Sequence, residues 1–152
     1  MGQLNIVNIL LAANADVNAR RVGGSSALSL SAQSGHADCV KLLLKNNANV
    51  NALEDSTPLI LSAAVGHADC VKLLLEAAAD VQRRDWDERT ALIESARAGH
   101  SDCVELLLQA ASDINSTNKY NRNALLVAAQ KSDIYKGLIN EFVTLSVVLS
   151  LW

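Results

Sequence analysis

Three histidines and three cysteines recur in step along this chain: His36 with Cys39, His67 with Cys70, and His100 with Cys103. These residue types ligate transition metals, and a cysteine beside a histidine is the minimal pair for nucleophilic catalysis. Their spacing argues against both. The pairs recur after 31 and then 33 residues, so each belongs to its own copy of a repeated unit. Packed helices lie roughly 8–10 Å apart. A zinc site needs four ligands converging at about 2.0–2.3 Å, and a disulfide needs Cα atoms within about 7 Å. One rung per unit meets neither requirement. The cysteines are therefore expected as small buried hydrophobes opening a helix, and the histidines as loop residues hydrogen-bonded to neighbouring backbone.

No other constellation carries chemistry. There is no nucleophile–base pair, no glycine-rich phosphate loop and no Glu-x-x-His pattern, so no catalytic residue, cofactor or metal ligand is expected. Asp85, Asp87 and Glu88 form an acidic cluster in a turn, where solvated carboxylates are ordinary. The net charge of −3 lacks the basic excess of a nucleic-acid-binding domain. No apolar run reaches the ~18 residues that span a bilayer, and the N-terminus has no signal-peptide pattern. These features lead us to expect an intracellular, cytoplasmic protein, with the nucleus left open, and neither nucleic acid nor membrane as partner.

The elements that carry these residues follow from the repeat. Gly35-His36-Ala37-Asp38-Cys39-Val40-Lys41-Leu42-Leu43-Leu44 returns at Gly66–Leu75 and at Gly99–Leu108, with a weaker copy at Gly2–Leu11. Each is followed by a second phrase: Ala15-Asp16-Val17-Asn18, Ala48-Asn49-Val50-Asn51, Ala79-Asp80-Val81-Gln82 and Ser112-Asp113-Ile114-Asn115. Upstream of each glycine, Ala27-Leu28, Pro58-Leu59 and Ala91-Leu92, with Ala124-Leu125 in the last unit, open a short helix. Ser26, Thr57, Thr90 and Asn123 stand as N-caps, and Pro58 takes the first helical position. Asp38, Asp69 and Asp102 complement the dipole of a second helix carrying Val-x-Leu-Leu-Leu. That helix should end in a left-handed residue at Asn14, Asn47, Ala78 or Ala111, which asparagine tolerates and alanine does not. Only 3% of residues are aromatic against 50% hydrophobic, which suits thin layers built from Leu, Ala, Val and Ile.

Two phrases linked over about 33 residues resemble ankyrin repeats. The family's threonine-proline-leucine-histidine phrase survives as Thr57-Pro58-Leu59-Ile60, Ser26-Ala27-Leu28-Ser29, Thr90-Ala91-Leu92-Ile93 and Asn123-Ala124-Leu125-Leu126, without its histidine in any copy. The resemblance covers about residues 2–140 and implies an all-α solenoid of stacked helix-turn-helix pairs joined by β-turn fingers. Its units divide as 1–19, a half-repeat supplying only its second helix, as in a piece of a longer protein; 20–52; 53–84, whose turn is two residues shorter and should leave a notch; 85–117; and 118–141, a degenerate repeat. The apolar tail 142–152 reads as a cap, an anchor or a foreign extension. The Gly-His-Ala-Asp-Cys-Val wording is similar to repeats of ubiquitin-ligase substrate receptors, whose adaptor-binding box has no counterpart in residues 140–152. By the same resemblance, Asn18, Asn51 and Asn115 sit where an asparagine hydroxylase acts on such proteins.

The resemblance also implies a non-enzymatic module that holds a protein or peptide through its turn tips and concave helix face. In the first half those positions are small and neutral: Val22, Gly23, Ser25, Gln33, Ser34, Ala64 and Val65. In the second half they are Arg84, Trp86, Asp87, Arg89, Arg97, Lys119, Tyr120, Arg122 and Lys131, our candidate partner-binding residues. Trp, Tyr and Arg dominate interface hot spots. The expected partner is an acidic or extended peptide across the third and fourth repeats, unless the basic side chains merely balance the nearby carboxylates. Glu94 stands in the column of Leu30, Leu61 and Val127, expected to face the core, and must pair with a cation or lean outward. The alternative is a self-associating unit, monomeric or weakly stacked through its open repeat ends.

Overall fold

A computed structural model describes residues 2–52 and 56–131. It contains α1 (Gly2–Ala12), α2 (Ala27–Gln33), α3 (Ala37–Lys45), α4 (Pro58–Val65), α5 (Ala68–Glu76), α6 (Ala91–Ala98), α7 (Ser101–Gln109) and α8 (Ala124–Lys131). The first helices α2, α4, α6 and α8 pack in series, as do the second helices α1, α3, α5 and α7. Helices α2, α4 and α6 also pack on the second helix of their own unit, α3, α5 and α7. Among the described residues the only β-pairing is an isolated bridge between Arg20 and Ser26. None of these helices is long and apolar enough to cross a membrane.

The caps are where the sequence places them. Ser26, Thr57 and Thr90 accept from the backbone N–H of Ser29, Ile60 and Ile93, and Asn123 Oδ1 accepts from Leu126 at 3.0 Å. Leu28, Leu43, Leu59, Leu74, Leu92 and Leu107 are fully buried and share one core with Cys70, Cys103, Val40 and Val71. The layers are thin enough for aliphatic side chains to fill them, so the described core holds no aromatic ring. The Leu30 column departs from expectation in its first two members. Leu30 is 39% exposed and Leu61 is half-buried beside the finger residues Arg21 and Gly23, whereas Glu94 and Val127 in the same column are buried.

Glycine and histidine form one interlocking device. Gly66 and Gly99 end their helices with φ of 92° and 88°, and Gly35 follows α2 at 73°. A Cβ on Gly35 would lie 2.6 Å from the His67 ring, and one on Gly66 would lie 2.5 Å from the His100 ring. The His67 and His100 imidazoles thus sit on the glycine of the preceding unit. This corrects the expectation of hydrogen-bonded loop histidines: His36, His67 and His100 occupy N-cap positions without a side-chain capping bond.

The second helices end in Schellman turns. Asn14, Asn47, Ala78 and Ala111 all have φ between 60° and 63°, as their spacing predicts. The next amide returns to the carbonyl five residues back, as in Ala48 to Leu43 and Ala79 to Leu74. Beyond each turn, Asn18 Oδ1 accepts from Asn49 N–H at 2.8 Å and Asn51 Oδ1 from Asp80 N–H at 2.8 Å, a ladder tying consecutive units. Gln82 replaces the next asparagine and donates instead to the Ala111 carbonyl at 3.3 Å. An alanine in the left-handed region costs roughly 1 kcal/mol. Ala78→Asn should therefore raise unfolding stability by about 0.5–1 kcal/mol in equilibrium urea titration. The same change at Ala77, where φ is −86°, should give no gain.

The shortened turn, Leu53-Glu54-Asp55, and the tail 142–152 lie outside the described residues, as does the segment from Ser132 onward.

Candidate functional site

The third and fourth fingers are built alike. In the third, Asp85 N–H donates to the Arg89 carbonyl, and Asp85 Oδ1 accepts from the N–H groups of Asp87 and Arg89 at 2.9 Å each. Glu88 completes the turn in the left-handed region at φ 57°. In the fourth, Asn118 Oδ1 accepts from Tyr120 and Arg122 N–H at 2.9 and 3.1 Å, and Asn121 takes φ 55°. An Asx side chain at the base and a left-handed residue near the end define both turns. In the first finger Arg21 takes the place of Asp85, and Gly23 and Gly24 supply the positive φ instead. The tips that result carry Trp86 and Asp87 in one finger and Lys119 and Tyr120 in the next. Trp86 is 77% exposed and Tyr120 60%.

Glu94, on α6 beneath these fingers, is only 3% exposed. It is paired, as a buried carboxylate must be. Arg89 Nη1 donates to Glu94 Oε1 at 2.7 Å, and Arg97 donates to Oε2 through Nη2 at 2.6 Å and Nε at 3.1 Å. Burial alone would raise the Glu94 pKa. The Arg97 hydrogen bond, then the charges of Arg89 and Arg97, outweigh it and hold the carboxyl below the usual glutamate range. The same bond to Glu94 raises the pKa of Arg97.

The network extends outward. Arg89 also pairs with Asp87 and faces Asp85 Oδ2 at 3.4 Å. Lys119 crosses from the fourth finger to Asp87, whose carbonyl accepts from Lys119 N–H at 3.1 Å. Arg84 Nη1 donates to the Thr117 carbonyl at 2.7 Å, tying the two fingers together. Arg122 Nη1 donates to Gln130 Oε1 at 2.5 Å, and both Lys119 and Arg122 stand 5.1 Å from the Tyr120 ring centre.

These contacts divide the candidate residues. Asp87, Arg89, Arg97, Tyr120 and Arg122 line one groove of about 410 Å³, closed by Asn118, Val127 and Gln130. Arg84, Trp86 and Lys119 do not line it. Lys131 ends α8, and its side chain lies outside the described residues. Most of the basic side chains serve the protein itself. Arg89 is held by carboxylates, Arg97 by Glu94, Lys119 by Asp87 and Arg84 by carbonyls. Of the two alternatives for these side chains, a basic groove or a balance of the nearby carboxylates, the contacts lie closer to the second, with a small basic excess among the described residues. Of the other lining residues, sequence reasoning counted Gln130 among the partner-facing positions of the fourth unit and Val127 in the core-facing column, and it passed over Asn118. Asn118 was legible as the counterpart of Asp85, whereas the meeting of all three in one groove emerges only from packing.

The cysteine chemistry is quiet. Cys39, Cys70 and Cys103 are free and buried, one per unit. Burial, reinforced by Asp69 and Asp102, raises the pKa of Cys70 and Cys103, so these thiols stay protonated and unreactive near neutral pH.

Paired helices, left-handed turn residues and a glycine–histidine lock recurring about every 33 residues constitute a repeat architecture. The family model for ankyrin repeats (three copies) matches residues 1–85 and 81–146. The chain belongs to the ankyrin-repeat family. Ankyrin repeats are a non-enzymatic fold and generally serve as protein–protein interaction modules. No curated protein matches the chain.

Proposed function

We propose that this ankyrin-repeat chain is an intracellular scaffold that binds an extended peptide segment of a partner protein across its third and fourth units. The observation that carries this reading is the pair of exposed aromatics, Trp86 and Tyr120, on adjacent finger tips beside the 410 Å³ groove. An exposed ring costs solvation that an aliphatic-only scaffold has no structural need to accept, and at an interface it becomes an anchor of low conformational entropy. The groove floor beneath is rigid, because Glu94, Arg89 and Arg97 are locked to one another. Its walls are tied by the Arg84–Thr117 and Lys119–Asp87 contacts. Rigid positioning reduces the entropy lost on binding. The buried, protonated thiols suit a reducing compartment.

The measurement is the affinity of a selected peptide ligand for the wild-type chain and for Trp86→Ala and Tyr120→Ala. Each substitution should weaken binding about tenfold or more without changing the circular dichroism spectrum. Unchanged affinity in both would place the partner elsewhere.

A second reading has its own observation. Helix α1 exposes Ile6, Ile9 and Leu10 at 56%, 65% and 53%, an apolar strip suited to a second copy of the chain. Light scattering during size-exclusion chromatography decides it: a dimer lost in Ile9→Lys supports self-association, and a monomer at all concentrations rules it out.

A further inference from the structure

We infer that the groove between the third and fourth fingers selects a peptide presenting one isolated carboxylate side chain, rather than an acidic stretch. The inference rests on the proposed peptide-binding role of this face. Its basis is the balance of charge in the network. Among the described side chains, Arg89, Arg97 and Lys119 pair with three carboxylates, Asp85, Asp87 and Glu94, and Arg122 beside them has none, leaving an excess of one positive charge. Arg84 does not line the groove and is held by the Glu88 and Thr117 carbonyls.

The surplus is located. Arg89 is consumed by its three acidic neighbours. Arg122 is held by the neutral Gln130 and by the Tyr120 ring, neither of which cancels its charge. Arg97 lines the same groove with its side chain 52% exposed, and it gives Nε and Nη2 to Glu94. Its Nη1 has no hydrogen bond among the described residues. The groove therefore offers guanidinium N–H groups from two arginines and one uncompensated charge. A single carboxylate satisfies both conditions, since guanidinium N–H groups bond carboxylate oxygens in short, charge-assisted contacts. A second or third carboxylate would meet Asp87 at the rim and Glu94 beneath, where like charges repel. Tyr120 and Val127 supply apolar surface beside the anion position, so the flanking residue of the partner is uncharged.

The test uses the full chain and a phage-displayed library of linear peptides about ten residues long, which at roughly 3.3 Å per residue span more than two ~10 Å units. Selected peptides are synthesised and titrated against wild type, Arg122→Gln, Tyr120→Ala and Trp86→Ala. We expect them to share one Asp or Glu. Changing it to Asn or Gln should weaken wild-type binding about tenfold and leave binding to Arg122→Gln nearly unchanged. Arg122 is a surface residue outside the Glu94 network, so this variant keeps the fold. Peptides that lose affinity to Tyr120→Ala but carry no required carboxylate, or need several, overturn the inference while leaving the site reading intact. Peptides indifferent to Tyr120→Ala and Trp86→Ala overturn both.

Discussion

Gly66→Ala is expected to destabilise the protein by about 3 kcal/mol, a loss of roughly 6–12 °C in melting temperature for a domain of this size. Two costs combine. At φ 92° an alanine is strained by roughly 1–2 kcal/mol. Its Cβ would also lie 2.5 Å from His100 Nδ1 and 2.8 Å from Cγ, so the imidazole must leave its seat at an overpacking cost of about 1–2 kcal/mol. Gly99→Ala separates the two. Its φ of 88° is nearly the same, but no described residue stands within 4 Å of the added carbon. Only the strain remains, and the loss should be about half. The double variant Gly66→Ala with His100→Ala should recover the overpacking share. Equal losses at Gly66 and Gly99 in urea titration would show that the imidazole has no part in the lock.

Glu94→Gln should cost about 2 kcal/mol and flatten the acid limb of the stability curve. Breaking a buried ion pair from one side leaves the other charge desolvated, typically at 3–5 kcal/mol. The smaller figure applies here because the Arg97 side chain is half exposed and that of Arg89 a quarter exposed. The pH dependence follows from the lowered pKa of Glu94. A carboxyl with a folded-state pKa below its ordinary value near 4.5 contributes stability that is fully present above that value. It is lost as pH falls through the lowered folded-state pKa. Wild type should therefore lose stability more steeply than Glu94→Gln below pH about 4.5, and the two should converge in acid. Parallel curves from neutral to acidic pH would mean that Glu94 is not charged in the folded protein.

The two experiments probe different parts of one design. The glycine–histidine lock joins consecutive units along the stack, and the Glu94 network joins a first helix to the fingers above it. Loss of the first should reduce cooperativity between units, since a repeat array is held by neighbour contacts. Loss of the second should loosen the groove and weaken peptide binding while the helices persist.

The repeat was legible from residues alone because its determinants are local. N-caps at Ser26, Thr57, Thr90 and Asn123, and left-handed residues at Asn14, Asn47, Ala78 and Ala111, depend on a few neighbouring peptide units, so spacing suffices to place them. The buried cysteines followed from the same periodicity. That Glu94 must either pair with a cation or lean outward was equally clear, because a buried carboxylate cannot stand alone.

Only the tertiary structure decided which cations answer it, and what the histidines do. Charge in a sequence is a count, whereas a guanidinium's availability depends on which carboxylate lies within about 3 Å, and that depends on how adjacent fingers stack. Six basic side chains at the fingers and helix ends suggested an acidic partner; packing spends Arg84, Arg89, Arg97 and Lys119 on the fold itself and leaves Arg122 without a carboxylate among the described side chains, which do not include that of Lys131. The histidines were read as backbone-bonded because their polarity is visible in sequence. The partner that matters is a glycine about 32 residues earlier, a contact between units that no local pattern reveals.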